Sequence, residues 1–197
     1  MPEVSRETTE RLAAFEALVR KWNPAVNLVS RASLADLRQR HIEDSVQLLG
    51  FSGLTAGHWV DLGTGGGFPG LVIAILAMDL PNLRVTCIES DNRKAAFLAT
   101  VVRELGLPAT ILAERIEAAP PQQGDVVSAR ALAPLGELLP LALRHLQPGG
   151  MAIFPKGARY ATEVAAAREA WRFDLTEAPS RTDLDARLLK LEGLTRA

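Results

Sequence analysis

One cysteine, one tyrosine and three histidines are all this chain has of the side chains most used for nucleophilic, redox and metal chemistry. A lone Cys87 excludes an intrachain disulfide, and its apolar strand context reads as inert core. Covalent chemistry through a thiol adduct is therefore not expected. His41, His58 and His145 are scattered, and no group of His and carboxylates has ligand spacing, so no metal is expected. His58 and His145 read as surface or strand-end residues. No apolar run approaches the roughly 18–20 residues that span a bilayer, so no membrane association is expected. The first ten residues lack the basic-then-apolar layout of a signal peptide, which points to a cytoplasmic protein. Neither sign of charge dominates: 22 Lys and Arg stand against 23 Asp and Glu. That balance argues against unselective coating of nucleic acid, but not against recognition of a particular folded RNA.

What the chain does have is glycine in one place. The run Asp61-Leu-Gly-Thr-Gly-Gly-Gly-Phe-Pro-Gly70 puts five glycines within eight positions, after a short apolar strand and before an apolar helix. A plain strand-to-helix turn needs one or two. A denser run lets a ligand approach the backbone, and the helix behind it offers N–H groups to an anionic or polar ligand group. Glu89 ends the next apolar strand, where a carboxylate takes both hydroxyls of a ribose. Together these describe a nucleoside-bearing cofactor across the carboxyl ends of two neighbouring parallel strands. The spaced glycines alone also fit dinucleotide binders. Asp61 tilts the choice, because a carboxylate facing the ligand suits the cationic amino group of S-adenosylmethionine better than a pyrophosphate. Strand, Asp, Gly-x-Gly and a later strand-end acid form the pattern of Rossmann-like methyltransferases.

The rest of the chain supports a doubly wound α/β fold. At 197 residues it is about one domain. Apolar positions at helical spacing predict a helix from residue 6 to 22, ended by Asn23-Pro24. A second is expected to start at Ser33, with Asp36 in its first turn, and to stop near Gly50. Residues 1–57 then form an N-terminal helical cap within the same compact unit as the core, 58–197. In the core, strands at 59–62, 84–89, 110–113, 125–129 and 150–156 alternate with helices near 67–79, 92–105, 135–146 and 161–171. An antiparallel pair at 172–177 and 186–191 closes a mostly parallel seven-stranded sheet.

Several methylation chemistries leave marks that are missing here. The stretch after the fourth strand, Asp125-Val-Val-Ser-Ala-Arg-Ala-Leu-Ala-Pro134, has no Asp/Asn-Pro-Pro-aromatic motif for exocyclic base amines. No evident general base or metal serves O-methylation. A nucleophile that needs no deprotonation, such as guanine N7, fits what remains. The enzyme then contributes mainly proximity and orientation. Between residues 20 and 41, Arg20, Lys21, Arg31, Arg38 and Arg40 face Asp36 alone, an excess of four positive charges. This is either a solvated face or an RNA contact. A small-molecule methyltransferase and a nicotinamide oxidoreductase remain as rivals, the second disfavoured by Asp61.

Five segments occur in one family's order: Asn27-Leu-Val-Ser30, Arg40-His-Ile-Glu-Asp-Ser45, the Asp61–Gly70 turn, Ser128-Ala-Arg-Ala131 and Pro155-Lys-Gly157. Over nearly its full length the chain resembles the RsmG (GidB) family of bacterial 16S ribosomal RNA guanine-N7 methyltransferases. The resemblance implies S-adenosylmethionine as cofactor, the small ribosomal subunit as partner and action as a monomer. It implies cofactor contacts from Gly63 and Phe68, with Gly65 and Asp61 in the same turn. It also places Ile116 and Glu117 beside the adenine, and Arg130 at the cofactor or substrate. Lys156, beside Gly157, is placed to reach an RNA phosphate, and Arg130 and Lys156 are the catalytic candidates. Arg31, Arg38, Arg40 and His41 become candidate RNA contacts, although His41 and Asp44 suit equally well a role in locking the cap onto the core.

Overall fold

The first helix, α1 (Arg6–Val26), starts where the Ser5 hydroxyl accepts the Thr8 N–H at 3.0 Å, and it buries Leu12, Phe15 and Val19. It does not stop at Asn23-Pro24. Pro24 and Arg20, one turn earlier, are both exposed, so the hydrogen bond that proline forfeits lies on the solvent side. Meanwhile Asn23 Oδ1 accepts the Val29 N–H at 2.9 Å, and the helix ends only at Asn27, which turns left-handed at φ 55°. The expected second helix is two. Ser30, rather than Ser33, caps α2 (Arg31–Ala35), and Asp36 ends it instead of opening it. A π-helical turn (Arg38–Glu43) then leads into α3 (Asp44–Ser52). Such wide turns are uncommon and often mark functional sites. The structure, a computed structural model, describes residues 5–197; residues 1–4, which the sequence assigns to the cap, lie outside the described residues.

The remaining elements alternate: β1 (Gly57–Leu62), α4 (Gly70–Leu76), β2 (Leu83–Ile88), α5 (Asn92–Leu105), β3 (Ala109–Leu112), β4 (Gly124–Ala129), α6 (Leu135–His145), β5 (Leu146–Lys156), α7 (Tyr160–Ala167), β6 (Trp171–Pro179) and β7 (Arg187–Arg196). They build a seven-stranded sheet in the order β3-β2-β1-β4-β5-β7-β6. The first five strands are parallel; β7 runs antiparallel to β5 and β6. Two differences from expectation have local causes. The helix after the glycine turn starts at Gly70 because residues 63–69 are consumed in the turn, and α7 stops at Ala167, freeing Trp171 to start β6.

Side-chain alternation sorts β1 between two cores. Trp59 joins Val85, Cys87, α4, α5 and the cap on one face, while Val60 and Leu62 join α6, α7, β6 and β7 on the other. Phe15 packs against Phe68 with ring centroids 5.2 Å apart, and Trp22 against Phe97 at 5.8 Å. The cap helix thus shares a continuous apolar core with the sheet. Chain order reverses at β1, flanked by β2 and β4, and ligands in open α/β sheets bind outside the carboxyl ends of strands at such a point.

Candidate active site

A cleft of about 680 Å³ opens at that edge. Gly63, Gly65, Phe68, Glu89, Ile116, Glu117 and Arg130 all line it. Glu89 is buried. One carboxylate oxygen accepts the Gly65 N–H and the other the Asp91 N–H, both at 2.8 Å, so the acid fastens the glycine turn to the start of α5. Gly63 sits at φ +62°, and a Cβ there would lie 2.8 Å from Leu132 Cδ1. A side chain at 63 would therefore fill the cleft and strain the backbone. The cap also contributes: Leu28 and Val29 line the cleft, as do Lys94 and Leu132 from the core. None of these four is a candidate on sequence grounds, although Leu28 and Val29 lie within the Asn27–Ser30 segment.

Asp61 is a correction. Its carboxylate does not face the cleft and is fully buried beneath the turn. It accepts hydrogen bonds from the Thr64 hydroxyl, from Gly70 N–H at 2.9 Å and from Ser128 Oγ at 2.7 Å. The reason is strand parity: Asp61 points to the same face as Trp59, whose indole N–H donates to the same Ser128 at 2.8 Å. Burial pushes the Asp61 carboxyl up to about 6, against the pull of its three hydrogen bonds. The first N–H of α4 is thereby spent on Asp61 rather than offered to a ligand. Gly70 is needed for this packing, since a Cβ would lie 2.5 Å from Cys87 Sγ and 2.8 Å from Asp61 Oδ2. Cys87 is fully buried, and burial raises its thiol pKa.

His58 and His145 do sit at strand ends, His58 second in β1 and His145 immediately before β5, but both are buried rather than at the surface. His58 Nε2 meets Thr86 Oγ1 at 2.8 Å, and His145 Nε2 lies 2.9 Å from the Ile116 carbonyl oxygen. Burial lowers both pKa values. A neutral ring facing a carbonyl must donate, so His145 anchors the backbone of Ile116 on the cleft wall.

A second cleft, about 950 Å³, adjoins the first. The two share His41, Arg130, Ala131, Leu132 and Ala133 as a common wall. Arg130 is the centre of that wall. It donates to the Arg40 carbonyl at 3.0 Å and to His41 Nδ1, and lies 3.4 Å from Asp44 Oδ2 and 5.5 Å from the Phe68 ring centroid. His41 packs on Phe68 at 5.0 Å. Burial, with the Arg130 and Arg40 cations beside it, pushes the His41 pKa down to about 4. His41 and Asp44 thus join cap to core through Arg130. Lys156 lines the second cleft but is held back from it: its ammonium donates to the Ala133 carbonyl at 2.7 Å and pairs with Glu163 at 2.8 Å.

The basic cluster divides. Arg20 pairs with Glu16 at 2.8 Å, and Arg38 lies 3.8 Å from both Glu16 and Glu43. Arg31 and Arg40 are exposed and, among the described residues, have no acidic partner within 4 Å.

Residues 8–187 match the family described as GidB, rRNA small subunit methyltransferase G. The chain belongs to that family. A protein of Cereibacter sphaeroides named ribosomal RNA small subunit methyltransferase G is 51% identical over 98% of this chain and 94% of its own. One of the same name from Rhodospirillum centenum is 54% identical over 97% of this chain and 87% of its own. The fold is similar to that of a SAM-dependent methyltransferase from Aquifex aeolicus, with a TM-score of 0.63 at 14% identity over 90% of this chain and 97% of that one. The family match covers the cap as well as the core, so both clefts and their shared wall lie within it.

Proposed function

We propose that this chain is an S-adenosylmethionine-dependent methyltransferase that methylates N7 of a guanosine in the decoding region of 16S ribosomal RNA, acting as a cytoplasmic monomer. Membership of the family and the names of its relatives support the ribosomal substrate. The carrying observation is the shared wall: two clefts meet at Arg130 and His41 on the carboxyl edge of the sheet. Among the described residues no helix is long and apolar enough to cross a membrane.

The first cleft suits the cofactor. Gly63 leaves room that any side chain would fill, Glu89 lines the cleft just past the end of the second strand, and Ile116 supplies an apolar wall. When bound, S-adenosylmethionine supplies a methyl group on a positively charged sulfur. This chain's residues then have to hold a guanine in the second cleft with N7 toward the wall, a task of proximity and orientation. The wall is poorly equipped to remove a proton. His41 has its pKa lowered to about 4 and its Nδ1 is committed to Arg130, which donates only. Guanine N7 carries a free lone pair and needs no base, so the wall's chemistry matches that nucleophile.

Mild reduction followed by aniline cuts RNA at N7-methylguanosine. Small-subunit RNA from a strain lacking this gene should lose one cleavage band, and the purified protein with S-adenosylmethionine should restore it. An unchanged pattern in the deletion strain would remove ribosomal RNA as the substrate.

A further inference from the structure

Among the described residues three large apolar side chains are exposed, Leu132, Leu143 and Leu184, and two of them border the second cleft. Leu184 is 93% exposed, close to the limit for any folded residue. A single exposed leucine on a loose loop would mean little. This loop, 180–186, is not loose. Gln47 Nε2 donates to Ser180 Oγ at 3.1 Å, and Gln47 Oε1 accepts the Arg181 N–H at 3.0 Å. The Thr182 hydroxyl donates to Asp44 Oδ1 at 2.8 Å. Across the tip, the Asp185 N–H binds Asp183 Oδ1 at 3.0 Å and the Ala186 N–H the Asp183 carbonyl at 3.2 Å. The base of the loop is therefore fastened to α3, and Leu184 is presented from a braced turn.

The ribosomal RNA substrate proposed above, together with two unpaired cations on the cleft rim, points to nucleic acid as the occupant. Asp183 and Asp185 flank Leu184 and are exposed, while Arg40 and Arg159 across the same cleft are exposed and have no acidic partner within 4 Å among the described residues. Cations of that kind suit phosphates. Apolar side chains such as leucine insert between stacked bases where a protein holds a nucleic acid in a distorted shape. Asp44, which clamps the loop, also pairs with Arg130 in the shared wall, tying the position of Leu184 to the place of reaction.

We propose that Leu184 is a wedge: it inserts into the RNA base stack at the gap left by the target guanosine, whose base lies in the second cleft against Leu132. The proposal rests on the function proposed above. Leu184 is then a positioning residue, acting on the RNA and not on the reacting atoms.

The test uses the full-length protein with a synthetic RNA stem-loop spanning the target, with 2-aminopurine beside the guanosine. Binding of wild type should raise the fluorescence of the unstacked 2-aminopurine severalfold. Leu184→Ala should lose that rise and, at saturating RNA, slow single-turnover methylation about tenfold with unchanged affinity for S-adenosylmethionine. Leu184→Met and Leu184→Phe should recover both signals, which a merely structural role for the loop would not produce. An alanine variant with wild-type fluorescence and rate overturns the wedge, as does bound wild type that leaves the fluorescence flat. If wild type methylates no guanosine in deletion-strain subunits, the function itself fails and the wedge falls with it.

Discussion

Replacing Asp61 with asparagine separates a scaffold carboxylate from a ligand-facing one. The amide oxygen can stay opposite Ser128, but its NH2 then faces the Gly70 N–H, donor against donor. The Thr64 hydroxyl can turn to accept, so one buried donor is left unpaired, at a cost of about 1–3 kcal/mol. Opposing this, wild type carries a carboxyl whose pKa burial raises from 3.8 to about 6. Holding it ionised at pH 7 costs roughly 3 kcal/mol, which the neutral amide avoids. The two effects nearly cancel at neutral pH, and the pH dependence does not. The folded carboxyl keeps its proton up to about 6 whereas the unfolded one releases it near 3.8. The folded state therefore binds more protons in that window, and the stabilisation, complete below the unfolded value, is lost as pH rises through 6. Wild type should gain about 1 kcal/mol on the variant between pH 7 and pH 5. His41 acts in the opposite sense: its folded pKa of about 4 lies below the ordinary 6.5, so stability falls as pH drops from 6.5 toward 4. That loss is common to both proteins and vanishes from their difference. Urea midpoints at the two pH values measure it. Parallel pH curves would refute the buried carboxylate. Lost cofactor binding with untouched stability would return Asp61 to the cleft.

Glu89→Ala should weaken S-adenosylmethionine binding by about 1–3 kcal/mol in calorimetric titration, because it removes a cleft carboxylate and frees the Gly65 and Asp91 N–H groups together. Arg31→Ala combined with Arg40→Ala should lower the slope of log affinity for RNA against log salt by up to about 2, and Arg38→Ala, already close to Glu16 and Glu43, should change it less. Single-turnover rates should vary little between about pH 6.5 and 8.5, since no ordinary titrating base takes part, and a steep rise removed by His41→Ala would contradict N7 as the nucleophile.

The strands were legible because a sheet covered on both faces reads as short apolar runs, and β4 needed no further clue. Helix α5 was equally open: Asp91, whose carboxylate accepts from Arg93 N–H at 2.8 Å, and Gly106, at φ 62°, mark its ends within the chain itself. What stayed hidden depends on groups far apart in sequence or on the face a side chain takes. Nothing near Pro24 announces that Asn23 will bond Val29, so the true end of α1 was missed. That Asp61 lies on β1 was plain, but its face follows from Trp59 packing into the first core and from Ser128, 67 residues away. His145 shows no local sign of its partner Ile116. The glycine turn and Glu89 were legible as a ligand site because their chemistry is carried by contiguous residues at strand ends. The second cleft was not, since it is assembled from the cap, the ends of β4 and β5, and the loop 180–186.

The shared wall also has to satisfy a charge condition. Sulfur is cationic before transfer and the purine is cationic after it, so a bare guanidinium at position 130 would oppose both ends of the reaction. Two unit charges 4 Å apart interact by about 4 kcal/mol at an effective dielectric near 20, enough to matter in a half-enclosed cleft. Arg130 is not bare. Asp44 pairs with it at 3.4 Å, the Arg40 carbonyl accepts from it at 3.0 Å and the face of Phe68 lies beneath it at 5.5 Å. With its charge offset, Arg130 can fix His41 and the π-helical turn in place without repelling the reactants. Asp44 supplies that offset while its other oxygen holds Thr182 and Gln47, and through them the loop that carries Leu184. One carboxylate therefore sets both the electrostatics of the wall and the posture of the loop that carries Leu184. That double duty gives a physical reason for the cap to be built into the core of this enzyme rather than appended to it.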